Sequence, residues 1–251
     1  MYSFSFYFVI FVITWAISTV FAIAGVGAAN TLIPIYYSMS IPFPIATATG
    51  LLLNVFSLST ATVNNARRGR ILWKLGTVFL IPAVIMAPIG AYVGVHTPRK
   101  VLLWAFAAFL IYTLYSLVGG RVREGSGRFY GSIRGYMLGV SVGAIAGFLG
   151  GLLGVGGGLI ILPVLALIEG DAKKVSATAG YVALFSSASG FASYLLLRGL
   201  DYGLWVVVLI GGVLGGFCGS YLMNRMRSLY IKYTIVSIII FVLAKILVEL
   251  I

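Results

Sequence analysis

One stretch of this chain occurs twice. Gly25-Val26-Gly27-Ala28-Ala29-Asn30-Thr31-Leu32-Ile33-Pro34 returns 129 residues later as Gly154-Val155-Gly156-Gly157-Gly158-Leu159-Ile160-Ile161-Leu162-Pro163. A long apolar run precedes each copy and a short one follows it. A glycine-rich break, repeated in corresponding halves of an apolar chain, predicts helices that are discontinuous inside a membrane. The duplication extends further. Ile45-Ala46-Thr47-Ala48-Thr49-Gly50 resembles Val175-Ser176-Ala177-Thr178-Ala179-Gly180, and Arg68-Gly69 falls opposite Arg198-Gly199. Ile89-Gly90-Ala91-Tyr92 matches Cys218-Gly219-Ser220-Tyr221. The nearly constant offset speaks for duplication rather than coincidence.

Ten apolar segments can be drawn, at roughly 4–24, 28–40, 44–65, 72–95, 99–118, 135–152, 157–169, 174–197, 203–223 and 228–250. With a mean hydropathy of +1.10, too few charges remain to cover a soluble protein of this size. The expected fold is therefore an all-α polytopic membrane protein of the cell membrane, multi-pass and in contact with membrane lipids. Segment 4–24 reads as a retained first helix rather than a signal peptide, because no basic region or cleavage site accompanies it. Segments 28–40 and 157–169 hold 13 residues each. As helices they would reach only about 20 Å, against a hydrocarbon core of about 30 Å, so they read as half-helices.

The net charge of +12 does not point to nucleic acid, because the basic residues sit in short loops between apolar runs. With ten crossings and the amino terminus outside, 13 of the 17 Lys and Arg lie inside. They are Arg67, Arg68, Arg70 and Lys74; Arg121, Arg123, Arg128 and Arg134; Lys173 and Lys174; Arg225, Arg227 and Lys232. Treating the short segments as re-entrant gives a nearly even split, so the positive-inside rule favours ten crossings. Five crossings per half make the halves inverted. The chain then divides into a first transmembrane repeat (1–118), a cytoplasmic linker loop (119–134) and a second repeat (135–251). Each repeat has about five helical segments, one of them a short broken half-helix.

A helix that starts just after a glycine break points unpaired N–H groups, and the positive end of its dipole, at the break. That favours an anion. Gly27, Gly156, Gly157 and Gly158 would let the backbone approach closely, and Asn30 and Thr31 would add side-chain donors. Gly143, Gly147 and Gly151 read differently, as small-residue helix packing. Segments 44–65 and 174–197 are rich in hydroxyl and amide groups. Among them Thr49, Asn54, Ser57, Thr178, Ser186 and Ser187 are candidates to replace the hydration shell of a small oxyanion, and interhelical hydrogen bonding is the alternative use. Arg198 is a further candidate, for electrostatic attraction of an anion.

All five acids (Glu124, Glu169, Asp171, Asp201 and Glu249) lie in loops or at segment ends, which disfavours a bare metal cation as substrate. The single cysteine, Cys218, excludes an internal disulfide. It, His96 and the peripheral acids make no catalytic constellation, so no enzyme, cofactor or metal is expected.

The glycine break, the proline that follows it, the polar third helix of each half and the length together resemble the TauE/SafE family of sulfite-exporter-like membrane proteins. The resemblance runs from about residue 17 to the end and is carried most by Gly154-Val155-Gly156-Gly157-Gly158 with Pro163. Family members often carry Ala-x-Gly-Thr-Ser after the short helix. Here the positions read Ala48-Thr49-Gly50-Leu51-Leu52 and Thr178-Ala179-Gly180-Tyr181-Val182, without the hydroxyl pair. The resemblance implies a transporter, usually an exporter, of sulfur-containing anions such as sulfite or organosulfonates. The residues alone leave open a passive anion channel, or a carrier of another small anion.

Overall fold

A computed structural model of the chain describes residues 4–39, 43–94, 133–197 and 202–250, with a few isolated positions between them. Most of segment 99–118, nearly all of linker 119–134, and Arg198 lie outside the described residues. The described residues form helices without strands. They are α1 (Phe4–Ala24), α2 (Ala29–Ser38), α3 (Phe43–Arg67), α4 (Trp73–Gly94), α5 (Ile133–Leu153), α6 (Gly158–Ile168), α7 (Ala172–Leu197), α8 (Tyr202–Arg225) and α9 (Ser228–Leu250). Six of them, α1, α3, α4, α5, α8 and α9, are long and apolar enough to cross a membrane.

The repeat is expressed in the helix boundaries. Phe4 and Ile133, Ala29 and Gly158, Phe43 and Ala172, and Trp73 and Tyr202 open corresponding helices, each pair 129 positions apart. The helix ends correspond as well. Gly25 (φ +70°) terminates α1 in the left-handed conformation, with Val26 N donating to Phe21 O at 3.2 Å and Gly25 N to Ala22 O at 3.2 Å. Gly154 (φ +72°) ends α5 with Val155 N to Gly150 O at 2.8 Å and Gly154 N to Gly151 O at 3.2 Å. Both are Schellman motifs, in which a glycine free of the Cβ penalty reverses the chain and satisfies the last carbonyls. Two short helices follow, of 10 residues in α2 and 11 in α6, about 15 Å long.

Six long helices pack in a row, α1–α8–α3–α7–α4–α5. Glycines set the close contacts. A Cβ on Gly215 of α8 would sit 2.8 Å from Trp15 O of α1, and one on Gly219 would sit 2.7 Å from Ala22 Cβ. On α5, a Cβ at Gly143 would lie 2.8 Å from Pro82 Cγ of α4, and one at Gly151 would lie 2.8 Å from the Ala87 carbonyl carbon. These glycines pack helix on helix, as their spacing predicts.

Residue numbers rise together along these interfaces, so α1, α8 and α3 run parallel. The same holds for α5, α4 and α7. The two groups meet at α3 and α7, which are antiparallel. Leu51 lies by Gly190, Asn54 by Ser187 and Arg70 by Asp171. Because α1 and α3 point the same way, the chain has to travel back through α2, and likewise through α6. The pair α3/α7 forms the core: 67% of the α3 membrane window is buried, against 33% for α1 and α4. The polar groups of α3 and α7 are accordingly kept from the periphery, with Thr47, Thr49, Asn54, Ser57, Ser176, Thr178, Ser186 and Ser187 all buried.

Candidate functional site: the crossing of two glycine breaks

Both breaks arrive at the α3/α7 interface. A Cβ on Gly25 would run into the Ser176 backbone of α7, and one on Gly154 into the side chain of Thr47 on α3. Thr47 and Ser176 lie 129 positions apart, the separation of the corresponding helix starts and one less than that of the aligned stretches 45–50 and 175–180, so the two contacts exchange under that offset. Ser176 Oγ also donates to Ile23 O at 2.7 Å, tying α7 to the end of α1. The breaks meet each other as well: a Cβ on Gly158 would lie 3.6 Å from Val26 Cα.

Asn54, fully buried on α3, ties the crossing together. Its Oδ1 accepts from Ala29 N at 3.2 Å, capping the first turn of α2. That donor fixes the orientation of the amide, and Nδ2 therefore points to the other half. It lies 3.4 Å from Val155 O in the second break and 3.4 Å from Ser187 Oγ on α7. These are long contacts, with one amide shared between two acceptors. Gly27 and Gly156 make room for the arrangement. A Cβ on Gly27 would collide with the Asn54 amide, and one on Gly156 (φ +75°) with Ser187 Oγ.

The second short helix is finished differently. Gly157, at φ 68° and ψ −9°, is the N-cap of α6 and supplies no side-chain hydrogen bond. The position equivalent to Asn54 is Ala183, whose Cβ would touch a Cβ on Gly158 at 2.8 Å. The α6 amino terminus thus keeps backbone donors and dipole directed at the crossing, with no side chain capping them.

Of the residues expected at a site, Gly27, Asn54, Gly156, Gly157, Gly158 and Ser187 come together here. Asn30 lies in the first turn of α2 and is placed only by its backbone. Thr31, in the same turn, lines a cleft of about 700 Å³ between α1, α2 and α9, whose other walls include Phe21, Ile35, Tyr230 and Phe241. Thr49 and Thr178, an equivalent pair, serve elsewhere. Thr49 Oγ1 accepts from Trp205 Nε1 at 3.1 Å, and Thr178 Oγ1 from Leu72 N at 3.0 Å. The Ser57 backbone faces α8, where a Cβ on Gly216 would collide with its carbonyl. Ser186 Oγ is buried with no hydrogen-bond partner. The sequence reading missed four contributors: the Ala29 N–H, the Val155 carbonyl, Thr47 and Ser176. Only the last two had a signal, as hydroxyls in the polar segments 44–65 and 174–197.

A multi-pass bundle whose two broken helices meet at a buried crossing fits a membrane transporter. The sequence comparisons agree. The model of the family described as "Sulfite exporter TauE/SafE" matches residues 10–246, and the chain belongs to that family. It is 25% identical over 247 residues to a Bacillus subtilis protein named "Probable membrane transporter protein YunE", covering 88% of this chain and 90% of that one. A protein of the same description from Methanocaldococcus jannaschii is 26% identical over 179 residues, 68% of this chain and 66% of that one. "Sulfite exporter TauE/SafE family protein 1" of Arabidopsis thaliana is 33% identical over 97 residues, 39% of this chain and 21% of that protein. No solved structure matches.

Proposed function

We propose that this transporter is a secondary carrier, working as an exporter, for small sulfur-containing oxyanions such as sulfite or organosulfonates. It acts by alternating access around the glycine crossing and has no enzymatic role. The observation that carries the reading is the α6 amino terminus, left without a side-chain cap at Gly157, one residue beyond Gly156, which packs against Ser187 where Asn54 reaches it. Backbone N–H groups, an amide and hydroxyls suit an oxyanion and offer no carboxylate to a cation. The Arabidopsis relative and the family are both named for sulfite export, and those names point to the same substrate class. On this reading 1–118 and 135–251 are inverted repeats joined by a cytoplasmic loop at 119–134. The antiparallel α3 and α7 and the reciprocal Gly25–Ser176 and Gly154–Thr47 contacts support the inversion.

The test is uptake of radiolabelled sulfite into proteoliposomes, with sulfate, sulfoacetate and chloride as competitors. Wild type is compared with Ser187→Ala, which removes a hydroxyl without adding bulk. Saturable flux, weakened about ten-fold or more in the variant, is expected, since a lost hydrogen bond to a charged group costs about 1.5–3 kcal/mol. Ohmic conductance without saturation would replace the carrier by a channel. Absence of sulfite flux in folded, inserted protein would remove the oxyanion assignment.

A further inference from the structure

A cleft of about 700 Å³ runs between α1, α2 and α9. Its walls include Phe21 of α1, Thr31 and Ile35 of α2, and Tyr230, Ile238 and Phe241 of α9. Phe21, Thr31 and Ile238 are at most 5% exposed, so the opening reaches well into the bundle. The Thr234 hydroxyl, on the same wall of α9, is turned onto its own helix and donates to Tyr230 O at 2.9 Å. The lining is therefore mainly apolar. Protein interiors rarely leave a space of this size empty, and an apolar one does not hold water.

Its length and its ends narrow the occupant. Met226, in the turn between α8 and α9, lies at one end and Phe241 at the other. Tyr230 and Phe241 are 11 residues apart, a rise of about 16 Å along α9, or half of a hydrocarbon core about 30 Å thick. That is the depth of one leaflet, which one acyl chain fills. The Met226 end is basic. Arg225 and Arg227 flank Met226, both are exposed, and neither is paired with an acid among the described residues. Arg225 lies over the Tyr221 ring, 4.4 Å from its centroid. Lys173 Nζ donates to Asn224 O at 3.1 Å, which brings a third cation to this end, while the nearby Asp171 is engaged by Arg70 at 3.7 Å. Tyr230 and Tyr233, 54% and 59% exposed, stand one and two turns into α9, as tyrosines do at the headgroup boundary.

We propose that this cleft binds an anionic phospholipid, with one acyl chain lying between α1, α2 and α9 and the phosphate meeting Arg225 and Arg227. Basic pockets between transmembrane helices recognise such headgroups, whereas bulk lipid needs no arginine pair. The site is separate from the glycine crossing and does not depend on what the transporter carries. The two come near each other at one place. Thr31 lies two residues after Ala29, whose N–H Asn54 holds, so the seated acyl chain packs on the first turn of α2. Segment 99–118 corresponds in the repeat to α9, which is already one wall of the cleft.

Native mass spectrometry of the purified protein tests this with two lipids of equal chain length, dioleoyl-phosphatidylglycerol and dioleoyl-phosphatidylcholine, added together in detergent. We expect one retained lipid per chain, with the phosphatidylglycerol form favoured roughly five- to thirty-fold, the range for two arginines beside an anionic headgroup. Arg225→Gln with Arg227→Gln should bring the two lipids to within about two-fold of each other, and the corresponding lysine pair should keep most of the preference. Arg67→Gln with Arg68→Gln removes the same charge from exposed positions of the α3 end, outside the cleft lining, and should leave the preference standing. Ala16→Trp fills the cleft from an exposed position on α1 and should lose both lipids. The arginine variants decide the matter if Ala16→Trp does not fold. Equal retention of the two lipids by the wild type, or a preference that falls as far in the Arg67/Arg68 variant, would overturn the proposal. So would unchanged retention in folded Ala16→Trp. A dimer that holds no lipid and that Ala16→Trp dissolves would give the cleft to a second copy of the chain instead.

Discussion

Asn54 and Ala183 occupy equivalent positions of the repeat, yet only Asn54 caps a short helix. Its Oδ1 holds the Ala29 N–H of α2, whereas Ala183 presents a methyl group to Gly158 of α6. One broken helix is therefore closed by a side chain and the other left open, although both begin at the same point of the duplicated sequence.

Asn54→Ala should destabilise the protein by about 1–3 kcal/mol, since it leaves a buried N–H without its acceptor. Asn54→Asp retains the cap but replaces the donor facing Val155 and Ser187 with a second acceptor and brings a buried charge. It should be worse than alanine. Thermal denaturation in detergent orders the two; a milder effect of aspartate would show that the amide donor contributes little.

Two left-handed glycines should respond differently to alanine. At Gly69 the cost is conformational only, about 1 kcal/mol, because nothing lies near the new methyl group. At Gly25 the methyl would run into the Ser176 backbone as well. Gly25→Ala should abolish or greatly lower the yield of folded protein, with Gly69→Ala close to wild type in size-exclusion profile and melting temperature.

Thr178→Val removes the acceptor of the Leu72 N–H at the start of α4 and should cost about 1–2 kcal/mol; Thr178→Ser should restore most of it. If Thr178 instead binds substrate, valine would impair flux without moving the melting temperature.

Ser186 and Ser187 are adjacent and both buried, but only Ser187 has a hydrogen-bond partner. Ser186→Ala should be neutral or slightly stabilising, because it removes a buried hydroxyl with nothing to bond. Flux lost in this variant without any change in stability would enrol Ser186 in the binding site.

Much of the architecture was legible in the residues. The glycine breaks mark where α1 and α5 end, because only glycine reverses a helix there without strain, and the apolar lengths separate the two short helices from the long ones. The polar third helices announced a buried pair, since lipid does not solvate hydroxyls and amides. Which of those groups reach the crossing was not legible. Thr49 and Thr178 resemble Asn54 and Ser187 in type and setting, yet they anchor α8 and α4.

What the sequence determined by itself, then, is the class of protein, the duplicated helix order and the points where the helices break, all of which depend on local composition and spacing. Tertiary structure alone decided that α4 and α8 pack on the opposite halves and that Asn54 spans both breaks with Ser187 opposite it. It also decided that α6 stays uncapped. Each of these depends on which helix faces lie within reach across more than 100 residues of chain, and no local pattern encodes that.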